Sequence, residues 1–205
     1  MAGAAPFVIL DGVDGCGKST QARRLVAALE ARGWPVEHLR EPGGTPEGEA
    51  LRALLLDRSS ILSPGVEALL FCAARRQLLE RRVGPALAAG TAVVCERFHP
   101  STFAYQAAAG GLDEAPLLDL LHGWAGDPAP SRVLLLDVPV ADASSRRGAA
   151  TDRIEDRGLE FQEAVRRGLA RYAELAGELV VRVDGTGSED AVAERVWTEV
   201  EALLG

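Results

Sequence analysis

Eight residues near the start of the chain, Gly12-Val13-Asp14-Gly15-Cys16-Gly17-Lys18-Ser19, have the types and spacing needed to hold a polyphosphate. Glycines let successive backbone N–H groups curl around phosphate oxygens, and a helix following the loop would add the partial positive charge of its N-terminus. In this G-x-x-x-x-G-K-[ST] pattern the lysine reaches the β and γ phosphates and the hydroxyl, here Ser19, binds Mg²⁺, which calls for a nucleoside triphosphate with its magnesium. The bland alternative is a glycine-rich strand-to-helix turn with an exposed lysine. Two features weigh against it: the pattern follows an apolar run, and Lys18 is the only lysine in the chain. The other basic residues are all arginine, and asparagine is absent. GC-rich codon bias or avoidance of thermolabile asparagine would give such usage. Either way, a lysine that survives it belongs where arginine cannot serve.

Further residues that could do chemistry cluster in three other places. Arg40-Glu41-Pro-Gly-Gly-Thr45 ends in a turn, Glu96-Arg97 ends an apolar run, and Arg146 to Arg157 contains four arginines with three acids. A carboxylate such as Glu41, Glu96 or Asp14 can bind a sugar hydroxyl or hold Mg²⁺ through water, and Glu96 could equally be a structural ion-pair partner. An arginine fork matches phosphate oxygens two at a time. Cys16 is read as a small residue without redox function. There is no N-K-x-D guanine motif, which disfavours a guanine switch.

The elements that must position these residues follow from periodicity. Phe7–Leu10, Val36–Arg40, Thr91–Cys95, Arg132–Val138 and Leu179–Val183 read as strands. Helices are expected over Ser19–Arg32, Glu47–Asp57, Val66–Ala89, Glu114–Trp124, Leu159–Ala176 and Ser188–Leu204, the last capped by Ser188. The segment Glu96–Gly111 is mixed, and 146–157 reads as a mobile surface stretch. Strands alternating with helices, several of them continuous apolar runs, predict an α/β fold with a five-stranded parallel sheet flanked by helices in three layers. Ligands then sit beyond the carboxyl ends of the strands.

The 205 residues are 47% hydrophobic, which suits one domain over 1–205, and carry a net charge of −8. That charge excludes a general nucleic-acid or anionic-membrane binder, so anions must be met locally. No apolar stretch is long enough to span a bilayer and the start has no leader pattern, so a cytoplasmic protein is expected. Three cysteines outside any C-x-x-C pair suggest neither disulfides nor a zinc site.

Phe7 to Gln21, Arg40 to Thr45, Leu70-Phe71-Cys-Ala-Ala-Arg75, Glu96-Arg97-Phe98 with Ser101-Thr102-Phe-Ala-Tyr105-Gln106, and Asp152-Arg153-Ile-Glu155 with Phe161 together resemble the bacterial thymidylate kinases over nearly the whole chain. The resemblance implies a P-loop kinase fold with a short mobile lid at about 146–157, a homodimer, and transfer of the γ-phosphoryl group of Mg-ATP to dTMP for dTTP synthesis. Gly12 to Ser19 with Thr20 would bind ATP, and Ser19 with Glu96 would hold Mg²⁺. It places Arg97 and Arg52 on the acceptor phosphate, Phe71 against thymine, Arg75 on its carbonyl, and Tyr105 against the sugar. Ser101, Thr102 and Gln106 would make polar contacts to base and phosphate, Asp14 and Glu41 would face the acceptor, and Arg153, with Arg146, Arg147 and Arg157 as alternatives, would supply the lid cation. Read by pattern alone, Arg97 could pair with Glu96 or Asp14, Phe71 and Tyr105 could be packing, and the arginine run a solvated face. Three positions depart from the family: Glu96 stands where Asp is usual, Asp11 where Glu is, and Phe98 where Tyr is. The last two are read as lying outside the phosphate machinery. Adenine is assigned to Asp184-Gly-Thr-Gly187, and dimer contacts to the helix after Val66. The rival outside enzymes is a module that uses ATP as a switch; the rival within them is a kinase for another small acceptor.

Overall fold

A computed structural model describes residues 4–146 and 157–204. Five parallel strands, β1 (Phe7–Asp11), β2 (Val36–Arg40), β3 (Ala92–Glu96), β4 (Arg132–Asp137) and β5 (Val180–Asp184), form one sheet in the order β2-β3-β1-β4-β5. β1 is central, its residues Phe7–Leu10 paired with Val93–Glu96 and Val8–Asp11 with Arg132–Leu135. All five of its residues are buried, as the run of apolar side chains demands of a strand covered on both faces. The edge strands β2 and β5 carry exposed charged residues, which suits strands with one unpaired side.

The helices are α1 (Lys18–Glu30), α2 (Pro46–Leu56), α3 (Pro64–Leu78), α4 (Gly84–Ala88), α5 (His99–Thr102), α6 (Glu114–Gly123), α7 (Val140–Arg146), α8 (Gly158–Ala176) and α9 (Glu189–Glu201). Thr45, Ser63 and Ser188 cap α2, α3 and α9 by accepting from the backbone N–H groups of Gly48, Val66 and Ala191. α1 is different. Its N-cap is Gly17 at φ 100°, with no side-chain cap, so the first-turn N–H groups point into the loop ahead of them.

Two expectations are corrected. The single helix expected over Val66–Ala89 is interrupted by a π-turn at Leu79–Val83. Pro85 has no N–H and its ring excludes the carbonyl four residues back, so the helix widens before it rather than running through. The mixed segment is helical as well: α5 passes into a second π-turn, Phe103–Ala108, that carries Tyr105 and Gln106. α8 crosses this turn at Gly168, where a Cβ would lie 2.5 Å from Cβ of Ala108, so only glycine permits the approach. α7 was not anticipated between the fourth strand and 146.

Candidate active site

The glycine loop leaves β1 at Gly12, whose φ of 147° and whose neighbours admit no side chain. A Cβ there would stand 2.7 Å from both Cys16 Sγ and the Leu136 carbonyl oxygen. Gly15 and Gly17 are also left-handed, at φ 83° and 100°. Cys16 is buried beneath the loop, in keeping with a packing role. Lys18 Nζ lies over the loop, donating to the carbonyls of Gly12 at 3.0 Å and Val13 at 2.8 Å. Ser19, exposed at the start of α1, donates to Glu96 Oε2 at 2.5 Å, and His38 Nε2 holds the other Glu96 oxygen at 3.0 Å. The carboxylate at the end of β3 is thus tied to the hydroxyl expected to bind metal, and His38 on the neighbouring strand steadies it. Sequence gave no sign of His38, because the contact follows from the β2–β3 register.

Gly15 to Ser19 and Glu96 line one side of a cleft of about 1420 Å³ that also takes in Arg40, Arg52, Arg97, Arg146, Gly185 and Gly187. The Gly185–Gly187 loop before α9 therefore faces the phosphate loop, and Arg146 Nη1 approaches the Gly185 carbonyl at 3.3 Å. Arg147, Arg153 and the Asp152–Glu155 stretch lie outside the described residues. The other lid candidate, Arg157, faces elsewhere: it pairs with Glu67 at 2.8 Å, with its guanidinium carbon 4.8 Å from the Phe161 ring centre.

A second cleft, of about 640 Å³, opens beside the first and shares Asp14, Glu41, Arg52 and Arg97 with it. Its remaining walls include Phe71, Arg75, Ser101, Thr102, Tyr105 and Gln106, so the residues assigned to the acceptor converge. Phe71 is only half-buried and lines this cleft as well as packing on the core. Arg97 does pair with Asp14 and also donates to Ser101 Oγ at 2.9 Å. Its φ of 67° makes it the one left-handed non-glycine among the described residues, a strain of roughly 1–3 kcal/mol that persists where surroundings over-determine it. Burial works against the charge of Arg97, but Asp14 and then Tyr105 outweigh it and the pKa rises. Tyr105 donates to the other Asp14 oxygen at 2.9 Å, and burial pushes its phenol up.

Glu41 lines the first cleft with Ser19 and Glu96, but its carboxylate is engaged on the acceptor side. It accepts from Arg75 Nε at 2.6 Å, and Arg75, 1% exposed, also donates to Thr102 Oγ1 at 3.0 Å. Burial lifts the Glu41 carboxyl to about 7 in spite of Arg75. Three buried polar atoms on this wall, Arg75 Nη1, Glu41 Oε1 and Gln106 Oε1, have no hydrogen-bond partner among the described residues. Folded proteins rarely keep such atoms unless something else satisfies them, and together they offer one donor and two acceptors.

Asp11, read from sequence as outside the phosphate machinery, belongs to its foundation. Fully buried at the end of β1, it accepts from the backbone N–H groups of Gly12 (2.8 Å), Phe98 (3.1 Å) and Ser101 (3.0 Å) and from the Ser101 hydroxyl (2.6 Å). The carboxylate therefore locks the glycine loop to the segment carrying Arg97. Among the described residues no group of three or more His, Cys, Asp or Glu side chains forms a metal cage, and no helix is long and apolar enough to cross a membrane.

Comparison with known proteins decides among the kinases that this geometry allows. The family model for thymidylate kinase matches residues 10–196. The chain belongs to the thymidylate kinase family. Curated thymidylate kinases align over nearly all of it: that of Synechococcus sp. (strain JA-2-3B'a(2-13)) is 40% identical over 198 residues, covering 97% of this chain and 95% of its own. Those of Thermomicrobium roseum and Ruegeria pomeroyi are 40% and 42% identical, with 97% and 98% of this chain covered and 95% and 96% of theirs. As a thymidylate kinase family member, the chain has its phosphate loop and its second cleft in adjoining positions at the carboxyl ends of β1, β2 and β3, where an open parallel sheet places ligands.

Proposed function

We propose that this chain phosphorylates dTMP, transferring the terminal phosphoryl group of ATP to give dTDP and ADP. The observation that carries the reading is the meeting of the two clefts across Asp14, Glu41, Arg52 and Arg97. A triphosphate on the glycine loop and a monophosphate against Arg97 and Arg52 then approach end to end. An oxygen of the acceptor phosphate forms the new bond to the γ phosphorus while the bond to the β–γ bridging oxygen breaks, and the electron pair leaves with ADP. The acceptor oxygen is already anionic, so no general base is required, and catalysis is positioning plus cationic stabilisation.

In this reading, Gly12 to Thr20 bind the triphosphate, Lys18 swings from the loop carbonyls to its β and γ oxygens, and the adenine lies by Gly185–Gly187 with Arg146. Arg97 and Arg52 hold the acceptor phosphate, Phe71 packs on the base, Arg75 Nη1 donates to a base carbonyl, and Tyr105 closes the sugar side. Arg153 remains the proposed lid cation. The hard oxygen donors of Ser19 and Glu96 at 2.5 Å suit Mg²⁺, which prefers one or two protein oxygens with phosphates and water to an all-protein cage. When bound, Mg²⁺ would neutralise charge on the β and γ oxygens. A homodimer is supported by exposed Leu54, Val66 and Leu69 on the packed pair α2 and α3, and light scattering in solution tests it. Such an enzyme would act in the cytoplasm, with its nucleotides.

The test is ADP release from Mg-ATP with dTMP, dUMP, UMP, dCMP, AMP and dGMP offered separately. Turnover led by dTMP, and abolished in Lys18→Ala, is expected. Turnover led by another nucleotide would keep the phosphate chemistry but overturn the base assignments. ATP binding with no acceptor-dependent turnover would overturn the kinase reading in favour of a switch.

A further inference from the structure

Behind the wall of the acceptor cleft, bonded to Gln106, lies a buried carboxylate that none of these roles uses. Glu67, on the first turn of α3, is 1% exposed, and each of its oxygens accepts a hydrogen bond. Oε1 accepts from Arg157 Nη2 at 2.8 Å, and Oε2 accepts from Gln106 Nε2 at 2.9 Å. Gln106 is equally buried and lines the acceptor cleft, and its own Oε1 is one of the unsatisfied atoms. A side-chain amide can present either its NH₂ or its carbonyl by turning half a revolution, and nothing in its own chemistry fixes the choice. Glu67 does fix it. As the acid of an ion pair with Arg157 it has only acceptor oxygens, so the NH₂ of Gln106 must face it.

We propose that Glu67 is a specificity-positioning residue, which orients the Gln106 amide so that its carbonyl oxygen is the atom left to read the acceptor base. A carbonyl there accepts from a pyrimidine that carries N3–H and opposes one with a lone pair at N3. The unsatisfied donor Arg75 Nη1 completes the pattern, since it matches a carbonyl at C4 and opposes an amino group. Donor and acceptor together select thymine or uracil against cytosine, and neither atom senses the 5-methyl group. The inference rests on the proposed dTMP acceptor and deepens it.

Calorimetric titration with dTMP and with dCMP, without ATP, tests this on the wild-type chain, Glu67→Gln, Gln106→Ala and the double variant, each checked for an intact melting transition. Glutamine at 67 can donate as well as accept, so the Gln106 amide is no longer held one way. Each single variant is expected to shrink the dTMP-to-dCMP affinity ratio about tenfold, the scale of one reversed buried hydrogen bond. The double variant should lose no more than Gln106→Ala alone, because Glu67 acts through Gln106. A residue with a merely structural role would weaken both nucleotides alike and leave the ratio unchanged. An unchanged ratio in either single variant, or losses that add in the double, overturns the proposal. If Glu67→Gln fails to melt cooperatively, Glu67→Asp replaces it: one methylene shorter, it gives up Gln106, and the ratio must again fall. A wild-type chain that binds neither nucleotide would instead refute the dTMP acceptor itself.

Discussion

Asp11→Asn is the substitution that most directly probes how the phosphate loop and the acceptor segment are joined. Asp11 Oδ1 receives the Gly12 N–H and the Ser101 hydroxyl, and Oδ2 receives the N–H groups of Phe98 and Ser101. An amide NH₂ at the Oδ2 position would face two backbone donors. At the Oδ1 position it would face one, and the Ser101 hydroxyl would turn its hydrogen away and accept from the NH₂ as well as from Arg97. The cheaper arrangement therefore leaves one buried N–H unsatisfied, at about 1–3 kcal/mol, and demotes the remaining bonds from charged to neutral acceptors at about 1 kcal/mol each. Removing a buried charge recovers some solvation, which keeps the total near the lower end, about 3 kcal/mol. For a chain of this length, that lowers the melting temperature by about 6–12 °C in scanning calorimetry. The Michaelis constant for dTMP should rise as well, because Ser101 and Arg97 lose their anchor. A fall of less than about 3 °C would refute the accounting of Asp11 as a four-donor clamp. The expected fall with unchanged dTMP kinetics would show that the clamp does not reach Arg97.

Other perturbations separate the remaining parts of the site. Lys18→Met keeps the volume but not the charge, so kcat should drop by at least about a hundredfold with dTMP affinity unchanged; a parallel loss of dTMP binding in calorimetry would contradict the placement of Lys18 on the ATP side. His38→Ala frees one Glu96 oxygen, and the Mg²⁺ concentration for half-maximal turnover should rise about tenfold while the dTMP Michaelis constant stays put; an unaltered Mg²⁺ dependence would remove His38 from the site. Burial holds Glu41 at about 7 against an ordinary 4.5, so between these values the folded chain keeps a proton that the unfolded chain has lost. Its contribution is fully present below pH 4.5 and is lost as pH rises through 7, by roughly 3 kcal/mol at most. Stability measured from pH 5 to 8 should therefore fall more steeply for wild type than for Glu41→Gln; parallel curves would rule out the raised carboxyl.

What could be read from the sequence was local. The strands, the glycine loop and the start of α9 at its Ser188 cap each depend on residues within a few positions of one another, and form within a residue or two of where the sequence puts them. The site residues were nameable because motif spacing carries their types, yet their partners were not. Asp11 meets Phe98 and Ser101 across some ninety positions, and Glu67 meets Gln106 and Arg157 across 39 and 90. Only the sheet order β2-β3-β1, which sets the end of β1 beside the end of β3, brings the first set together. The π-turns escaped for a related reason: a helical period survives one extra residue per turn, so only Pro85 betrayed the first, and nothing local betrayed the second.

The second π-turn and the left-handed Arg97 mark where local preference gave way to the site. A regular helix through 103–108 would advance Tyr105 and Gln106 on a different face, whereas the wider turn accompanies Tyr105 bonding Asp14 while Gln106 bonds Glu67. Arg97 can reach both Asp14 and Ser101 because its backbone turns sharply at the end of β3, and that strained turn is held by its N–H to the Leu10 carbonyl at 2.9 Å and by Asp11 from below. Both departures from regular geometry thus serve side chains lining the acceptor cleft. The phosphate loop needs no such strain, since glycine supplies its left-handed positions. The acceptor wall is built from functional side chains rather than backbone, so glycine could not take their place, and the distortion passed to the elements that carry them.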